Sequence, residues 1–598
     1  MKILIGIAAC LLLANAQAQD LTGLWKAQQW FGPYARGPLL IERTPGGWTA
    51  DFAGRVLPVQ TRGTELSFTV PNDAGTFQGR LERNRITGQW TTPPSRVHGA
   101  SYASPVKLTA DGADRWRGVV TPRDDTFTLF LMVQQRPDGT LGAFLRNPER
   151  NIGVFYDVTH LVRDGKAVRL MGRRIGQKTE EVLFDGSYDS DNDLLSIPFP
   201  NRGGTYDFRR EGDDSNFYPR GRKSQRYAYD APPARDDGWA TGTLEQERID
   251  RAAIEKFVQM LIDMPIESVH TPEVHGVLIA RHGKLVLEEY FHGEHRDRMH
   301  ETRSAAKSLT ATLIGAALHA RAPLQLSTPV YAAMNGGQPP ADLDQQKRAM
   351  TLEHLLMMRS GYFCDDTNPD APGNEDTMLD QSDEPDYYSY TLRLPLDREP
   401  GAKGVYCSID PNLALGVLSR ATGESALAAH DRLLGEPLQI GTYGWPINRV
   451  GQPYGGGGVW VLPRDFMKLG QVMLDGGTWH GKRILDADFA KRAGSPLHEL
   501  RNIQYGYLWW NIEYPYKDRK IRAHFAGGNG GQLVMVIPEL DLVIATYGGN
   551  YTDRVSLILQ QEYVPRYILP AIREAGDDPN APVQAQDFKT PYGRSPAQ

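Results

Sequence analysis

Arg303-Ser304-Ala305-Ala306-Lys307-Ser308-Leu309-Thr310 is the stretch around which the C-terminal half of the chain is organised. A hydroxyl and an amine stand three residues apart, and small and apolar residues follow up to about Ala320. Residues i and i+3 lie on one face of an α-helix, so Ser304 and Lys307 are predicted to project together from its first turn. The apolar run predicts that this helix is buried inside a domain.

The two side chains together have the chemistry of an activated nucleophile. Partial burial is expected to lower the pKa of Lys307, so that its neutral fraction accepts the Ser304 proton. Ser304 would lie where N-terminal backbone N–H groups stabilise negative charge. Chance alone gives about one or two Ser-x-x-Lys matches in such a chain, and Ser104–Lys107 is a second match, in which Pro105 disfavours a helix start. The alternative is an ordinary buried helix with a capping serine.

The bulk composition excludes some classes of protein. A chain of 598 residues is too long for one core and suggests two to four domains. A net charge of −6 without clustered Lys and Arg gives no sign of a nucleic-acid surface. No cofactor is expected from the sequence, and the oligomeric state is left open.

The first residues have the pattern of a secretory signal peptide, predicted over residues 1–18. Lys2 supplies the positive end, Ile3–Leu13 the apolar segment and Ala16–Ala18 the small-residue cleavage site. The segment is too short to be a membrane anchor, and a lipoprotein reading through Cys10 is disfavoured because little apolar sequence precedes it. We therefore expect a periplasmic or secreted protein with no transmembrane segment.

Export would leave two cysteines, Cys364 and Cys407, in the mature chain. In an oxidising compartment they would form one disulfide. Two buried free thiols are the equal alternative.

The region 19–222 is predicted to be an all-β sandwich or barrel domain. Short apolar–polar alternations, such as Thr126–Val133, recur about every ten residues between turn signals. No nucleophile–base pair is found there, so an accessory or stabilising domain is the preferred interpretation. A linker rich in Arg, Asp, Pro and Gly follows over 223–243.

The C-terminal half mixes helix and strand patterns. A helix is predicted over 244–262 and a short capped helix over 351–358, and 362–400 is expected to be an acidic loop. Hairpins are predicted over 276–287 and 532–546. With helical segments between these hairpins, we expect an antiparallel sheet closed by the first and last segments.

Five stretches in this half carry a resemblance to a known family. They are Arg303–Ser308, Thr351–Gly361, Glu399–Gly401 followed by Tyr406–Ser408, Gly455–Gly458 and Phe525–Gln532. With these motifs in the family's order, the region from about Glu245 to Pro570 resembles the serine β-lactamase and penicillin-recognising superfamily. It is most similar to the class C β-lactamase-like branch, which also holds serine carboxylesterases, D-amino-acid peptidases and 6-aminohexanoate-dimer hydrolases.

The resemblance implies an α+β fold. A β-lactamase-like domain over 244–570, with an antiparallel sheet flanked by helices and an all-helical subdomain, would follow the all-β domain. A C-terminal tail would cover 571–598.

The resemblance also implies further site residues. The family's Tyr-x-Asn motif falls on Tyr406-Cys407-Ser408, so Tyr406 would share the base role with Lys307 and then protonate the leaving group. Ser408 replaces the usual Asn and keeps only a short hydrogen-bonding side chain.

The family's third motif, Lys-Thr-Gly, has no lysine counterpart here, and the nearest match begins at His524. An N–H group around Gly527 or Gly528 would pair with that of Ser304 as an oxyanion hole. His524 would orient the substrate or the Tyr406–Lys307 pair, or would be a strand-end histidine with a satisfied hydrogen bond.

For two other groups of residues, the sequence favours a structural role over a functional one. Tyr505, Tyr507, Trp509 and Trp510 would line an acyl pocket, although core packing is the preferred interpretation. His292, His295 and His300, with Glu289 and Glu294, lack the spacing of a metal site, and no metal is predicted.

The sequence thus predicts an exported serine hydrolase that cleaves an ester or amide bond of a small-molecule or peptide-like acyl substrate. Ser304 would form the acyl-enzyme, and Lys307 and Tyr406 would move the proton. Loss of the third-motif lysine argues against a site tuned to a penicillin carboxylate. The alternatives are a β-lactamase or D-peptidase activity on the same fold, and a non-catalytic glycan- or peptide-binding protein.

Overall fold

The structure is a computed structural model that describes residues 21–72, 74–223, 225–578 and 583. The predicted signal peptide over 1–18 and most of the predicted tail over 571–598 lie outside the described residues. Across the described part of the chain, no helix has the length and apolar character needed to cross a lipid bilayer.

Seventeen strands fill the described residues between 23 and 211. They are β1 (Gly23–Gly32), β2 (Gly37–Thr44), β3 (Gly47–Phe52), β4 (Arg55–Pro58), β5 (Gln60–Arg62), β6 (Glu65–Val70), β7 (Gly75–Glu82), β8 (Arg85–Thr91), β9 (Ser101–Ala110), β10 (Arg115–Val120), β11 (Asp125–Gln135), β12 (Leu141–Arg146), β13 (Tyr156–Asp164), β14 (Ala167–Arg174), β15 (Glu181–Asp189), β16 (Leu194–Phe199) and β17 (Gly204–Glu211).

Eight of these strands close into a barrel in the order β1-β11-β12-β13-β14-β15-β16-β17. The last strand returns to the first, where Leu24 lies opposite Glu211. Alternate residues point inward, and Trp25, Leu131 and Phe208 lie in the fully buried interior. Closure leaves the barrel without a free strand edge.

The other nine strands, β2 to β10, form a second antiparallel sheet in the order β4-β3-β2-β10-β9-β8-β7-β6-β5. Its own core contains Ile41, Phe77 and Trp90. The predicted class of this half, an all-β sandwich or barrel, is confirmed. The sequence did not indicate that this half contains both a barrel and a separate sheet. Along the chain, β1 is separated from its barrel partner β11 by all the strands of the second sheet.

The C-terminal half contains the remaining strands and all the α-helices of the described chain. The strands are β18 (Ala240–Thr241), β19 (Val274–Arg281), β20 (Lys284–Tyr290), β21 (His300–Glu301), β22 (Tyr443–Ile447), β23 (Trp460–Val461), β24 (Thr478–Trp479), β25 (Lys482–Arg483), β26 (His498–Leu500), β27 (Ile503–Tyr505), β28 (Trp510–Tyr516), β29 (Arg519–Gly528), β30 (Gln532–Ile537) and β31 (Leu542–Gly548). The helices are α1 (Arg251–Asp263), α2 (Ala306–His319), α3 (Val330–Met334), α4 (Gln345–Arg348), α5 (Leu352–Leu356), α6 (Glu375–Asp380), α7 (Tyr387–Arg393), α8 (Ile409–Thr422), α9 (Ala426–His430), α10 (Pro463–Leu474) and α11 (Ala487–Ala493).

A nine-stranded sheet in the order β18-β20-β19-β31-β30-β29-β28-β27-β26 is the centre of this half. The first hairpin pairs with the last strand, with Ile279 opposite Ile544, as the hairpin pattern predicted. One sheet face packs on α1 and the C-terminal segment, and the other packs on the helices that surround α2. The predicted α+β class, with an antiparallel sheet flanked by helices, is confirmed.

Two predicted elements differ from the structure. The helix expected over 244–262 begins at Arg251, because the Asp250 side chain accepts a hydrogen bond from the Ala253 N–H and caps it there. The expected acidic loop over 362–400 contains α6 and α7. Asn374 and Asp386 cap these helices, so residues that resembled a polar loop begin helices instead.

The two halves are joined by β-pairing. Strand β22 of the C-terminal half pairs antiparallel with β9, with Trp445 opposite Ala103. Since β22 also pairs with β23, which follows the Gly455–Gly458 stretch, the N-terminal sheet is connected to the surroundings of Ser304.

Candidate active site

Ser304 and Lys307 meet at the start of α2, as the i, i+3 spacing predicts. The Lys307 ammonium donates to Ser304 Oγ at 3.0 Å and also to the Gly456 carbonyl oxygen. Ser304 is partly exposed and Lys307 is buried. The hydroxyl is therefore accessible, while the amine is held behind it.

The residue before Ser304 has an unusual backbone conformation. Arg303 has a φ of 48°, in the left-handed region that costs a non-glycine residue about 1 kcal/mol or more. Its carbonyl accepts the Gly458 N–H at 3.1 Å, and its guanidinium pairs with Glu301 at 3.0 Å. These contacts hold the turn that presents Ser304.

The expectation that burial lowers the pKa of Lys307 is wrong. Burial does act in that direction, but the neighbouring Tyr406, Glu375 and Asp366 outweigh it and raise the pKa of Lys307 above its usual value. The resting amine is therefore an ammonium. The sequence argument missed this because the acidic residues come from the distant 362–400 segment.

Tyr406 lies beside the pair. Lys307 Nζ is 5.1 Å from the centre of the Tyr406 ring, and the neighbouring tyrosine helps to raise the pKa of Lys307. On its outer side the ring stacks on Trp510 at 5.7 Å, and the Arg501 guanidinium lies 4.3 Å from the ring centre. The structure thus brings Ser304, Lys307 and Tyr406 together.

Ser408 is fully buried and is bonded to Asp366. Its hydroxyl donates to Asp366 Oδ2 at 2.6 Å, and its backbone N–H donates to the same oxygen at 2.9 Å. Burial and the adjacent Glu375 raise the pKa of Asp366 to about 6. The position that carries an Asn amide in the family motif therefore holds a serine that is hydrogen-bonded to a carboxyl group near Lys307.

A disulfide fixes this arrangement. Cys364 and Cys407 are bonded, with Cα atoms 5.7 Å apart, so of the two alternatives left open the disulfide is the one found. The bridge ties the residue after Tyr406 to the segment that contains Asp366. The Asp366 N–H also donates to the Tyr406 carbonyl at 3.1 Å.

The glycines of β29 approach the turn before α2. A Cβ atom on Gly528 would lie 3.0 Å from the Ala305 nitrogen and closer still to the Thr302 carbonyl oxygen. Pairing of β28 with β29 ends at Phe525, whereas pairing of β29 with β30 continues to Gly528. Gly527 and Gly528 therefore lie on a strand end whose β28 side is open, next to Ser304.

His524 lies further back on the same strand. Its ring centre is 5.6 Å from that of Trp509, and a Cβ on Gly494 would lie 3.1 Å from the ring. Burial lowers the pKa of His524 to about 4, so the ring is neutral. In the described part of the chain, no hydrogen bond joins it to Ser304, Lys307 or Tyr406, and its buried Nε2 has no partner.

The aromatic residues and histidines for which the sequence favoured a structural role have ordinary surroundings. Tyr505, Tyr507 and Trp509 are fully buried in the core, whereas Trp510 is half-buried and stacks on Tyr406. His300 Nε2 lies 2.8 Å from His275 Nδ1. Within the described ranges, no group of three His, Cys, Asp or Glu residues has the geometry to hold a metal ion.

Comparison with known proteins gives one family match. Residues 266–548 match the family model described as Beta-lactamase.

Several solved structures are similar over about half of this chain, each at low identity. A putative 6-aminohexanoate-dimer hydrolase from Bacillus anthracis is 18% identical, with a TM-score of 0.41, and the match covers 49% of this chain and 78% of that one. A putative beta-lactamase from Bacteroides dorei is 16% identical, with a TM-score of 0.41 and coverage of 52% and 97%. EstCE1, a hydrolase with promiscuous acyltransferase activity, is 16% identical, with a TM-score of 0.40 and coverage of 51% and 94%.

Proposed function

We propose that this serine hydrolase cleaves an ester or amide bond through an acyl-enzyme on Ser304. The premise is the match of residues 266–548 to the Beta-lactamase family model. Members of that fold family are esterases, amidases and β-lactamases, all of them serine hydrolases. The observation that carries the proposal is the 3.0 Å contact of Lys307 Nζ with a partly exposed Ser304 Oγ beside the Tyr406 ring.

In the proposed reaction, Ser304 Oγ attacks the carbonyl carbon of the substrate. The Tyr406–Lys307 pair, which has first lost one proton to solvent, accepts the hydroxyl proton at the Tyr406 oxygen, and the carbon–oxygen π bond opens to an oxyanion. The N–H groups of Ser304 and of the Gly527–Gly528 strand end stabilise that charge. The pair then protonates the leaving alcohol or amine, and an acyl-enzyme remains.

Water completes the cycle. It attacks the acyl-enzyme carbonyl while the same pair accepts its proton, and the carboxylic acid leaves as Ser304 recovers its hydrogen. The raised pKa of Lys307 supports a charge-stabilising role for its ammonium during these steps, in addition to proton transfer. Tyr406 is therefore the group to which we assign the moving proton.

Esters and amides are favoured over β-lactams as substrates. The third family motif has no lysine in this sequence, and His524 is neutral and buried behind the strand end. The end of β29 beside Ser304 therefore offers no cation to a substrate carboxylate. This supports a substrate other than a penicillin or cephalosporin.

We also propose that the protein is exported to the periplasm or the medium. The signal-peptide pattern of residues 1–18 motivates this, and a disulfide is typical of an oxidising compartment. Fractionation of expressing cells, followed by mass determination of the mature N-terminus, tests it. A cytoplasmic protein with its N-terminus intact would refute it.

A substrate panel on the wild type and on Ser304→Ala tests the catalytic proposal. It contains p-nitrophenyl esters, anilides, D-peptides and nitrocefin, together with a fluorophosphonate probe. We expect ester or amide turnover and probe labelling in the wild type, and a loss of several powers of ten in Ser304→Ala. Ser308→Ala, one turn further along α2, is the matched control, because its hydroxyl donates to the Leu508 carbonyl. Equal labelling of wild type and Ser304→Ala would refute the assignment, and turnover of nitrocefin alone would favour a β-lactamase.

A further inference from the structure

The barrel brings its own residues to the region of the proposed nucleophile. The segment after β12 is fixed to the C-terminal half, since Asn151 Nδ2 donates to the Tyr551 carbonyl at 3.0 Å. The Arg303 guanidinium lies 4.5 Å from the centre of the Tyr551 ring. Arg150, next to Asn151, is therefore a neighbour of the turn that presents Ser304.

Arg150 is held in place without a carboxylate. Its Nη1 lies 3.3 Å from His98 Nδ1, and the His98 ring packs on Trp460 at 5.2 Å. Burial, with Arg123 and Arg150 nearby, lowers the pKa of His98 well below its usual value, so this histidine accepts as a neutral ring. His98 thus contacts the guanidinium without supplying a negative charge.

The contrast with neighbouring arginines is clear. Arg123 pairs with Asp125 at 3.0 Å, and Arg303 pairs with Glu301 at 3.0 Å. For Arg150 and for Arg202, no carboxylate oxygen of a described residue lies within 4.0 Å. Arg202 belongs to the turn between β16 and β17 of the same barrel, and its guanidinium lies 5.7 Å from the Phe127 ring centre.

Arg150 combines partial burial with the proximity of other cations. Burial and the nearby Arg303 lower the pKa of Arg150, which shows that its charge is poorly solvated and repelled by a second cation. Arg202 adds to the repulsion, while Glu301 opposes it. A partly buried cation without a counter-ion is expected where a ligand supplies the opposite charge.

We propose that Arg150, supported by Arg202, forms a subsite for a carboxylate on the substrate, so that the enzyme prefers acyl substrates bearing an anionic group. The planar guanidinium matches a carboxylate with two parallel hydrogen bonds. The barrel is then part of the substrate site, beyond the accessory role that its sequence suggested. This inference rests on the proposed hydrolase function of Ser304 and adds the class of substrate.

Matched substrate pairs test the subsite. The first pair is p-nitrophenyl glutarate monoester against p-nitrophenyl valerate, with the charge on the acyl side. The second is 4-carboxyphenyl butyrate against phenyl butyrate, with the charge on the leaving group. The measured quantity is the ratio of kcat/KM for the anionic over the neutral member of each pair.

We expect the wild type to prefer the anionic member of at least one pair. Arg150→Gln should lower that ratio about tenfold or more, which is the effect expected when one charge-assisted hydrogen bond is lost. Arg150→Lys should keep part of the preference, because it retains the charge without the planar geometry. Arg117→Gln is the matched control and should leave the ratio unchanged, because Arg117 is exposed on β10 and pairs with Asp111 at 2.8 Å. Arg202→Gln provides a second variant should Arg150→Gln fail to fold.

A binding measurement separates this inference from the hydrolase proposal. Glutarate should bind to Ser304→Ala in calorimetry, and Arg150→Gln in that background should weaken binding by a similar factor. Unchanged ratios in both substrate pairs, or equal glutarate binding with and without Arg150, would overturn the subsite and leave the hydrolase assignment intact. A wild type that turns over no ester or amide and takes no fluorophosphonate label would instead overturn the proposed function.

Discussion

At the scale of the residue, the position of Lys307 shows how neighbours can reverse the effect of burial. The amine is buried, which by itself destabilises its charged form. Tyr406, Glu375 and Asp366 each favour the charged form, and together they outweigh burial. The resting pair therefore contains an ammonium, which supports the proposed assignment of the moving proton to Tyr406.

Replacement of Tyr406 by Phe tests that role. Phe keeps the ring that stacks on Trp510, so the fold should keep its melting temperature within a few degrees. Loss of the hydroxyl should lower kcat by about 100- to 10,000-fold, the usual contribution of a general acid–base group. Steady-state kinetics on the best ester of the panel, with a thermal melt beside it, provide the measurement. A variant with near-normal kcat would exclude Tyr406 from proton transfer.

Asp366 is expected to act through Lys307. Its pKa is raised to about 6, so it is ionised at higher pH and there raises the pKa of Lys307. In Asp366→Asn the pKa of Lys307 should fall, and any limb of the pH–rate profile that depends on neutral Lys307 should move to lower pH. The profile of kcat/KM between pH 5 and 11 measures the shift. Asp376→Asn, on the exposed side of the same segment, is the control. An unmoved profile would show that Asp366 does not tune this lysine.

At the scale of the element, the disulfide and the strand glycines position the segments that surround Ser304. Cys364–Cys407 closes a loop of 43 residues that contains α6 and α7. By the loop-entropy argument such a cross-link stabilises the native state by about 4 kcal/mol. We expect Cys364→Ser/Cys407→Ser to melt at a lower temperature and to lose activity, since Tyr406 and Asp366 flank the bridge. Calorimetry and ester kinetics measure both, and a variant with wild-type melting and rate would contradict the expectation.

Gly528 is expected to tolerate no side chain. A Cβ there would press on backbone atoms of Thr302 and Ala305, which cannot move aside as a flexible side chain can. Gly528→Ala should therefore displace the strand end from Ser304 and lower kcat more than it raises KM, because oxyanion stabilisation acts in the transition state. Gly441→Ala is the control, since nothing lies within 4 Å of its added Cβ. Equal kinetics of the two variants would argue against a role for the strand end.

Elements with local signals were predictable from the sequence. The Ser304 helix, the hairpin 276–287 and the Thr351 cap each depend on residues a few positions apart. The disulfide, the acids behind Lys307 and the approach of Arg150 depend on residues far apart in sequence. Residue types alone cannot place such residues in contact, because the fold brings them together only through pairings such as β9 with β22.

At the scale of the whole molecule, the N-terminal β region and the C-terminal half, which contains the match to the Beta-lactamase family model, meet along one seam. Besides the pairing of β9 with β22, Gln89 Nε2 donates to Asp431 Oδ2 at 2.7 Å and to the Tyr443 hydroxyl at 2.8 Å. Partly buried polar contacts of this kind require both partners to stay in place. The two halves should therefore behave as one unit in substrate binding, which the proposed Arg150 subsite requires.

A buried ion pair also joins the two halves at that seam. Arg146 of the barrel donates to Glu273 Oε2 at 2.7 Å, and both side chains are at most 3% exposed. Although burial acts to raise the pKa of Glu273, Arg146 and His275 lower it well below its usual range. Since the native state holds this carboxylate ionised more strongly than the unfolded chain does, the pair stabilises the fold at neutral pH, and this contribution is lost as the pH falls through the native pKa.

Arg146→Met leaves a buried charge unpaired and should cost about 3–5 kcal/mol. Arg146→Met/Glu273→Gln should recover much of that loss, because the unpaired charge is gone. Calorimetry should show the transition of Arg146→Met at lower temperature, or split in two as the barrel separates, and should show the double variant close to wild type. If the double variant were as unstable as Arg146→Met, the effect would arise from lost packing of the arginine, and the ion pair would not be what joins the two halves.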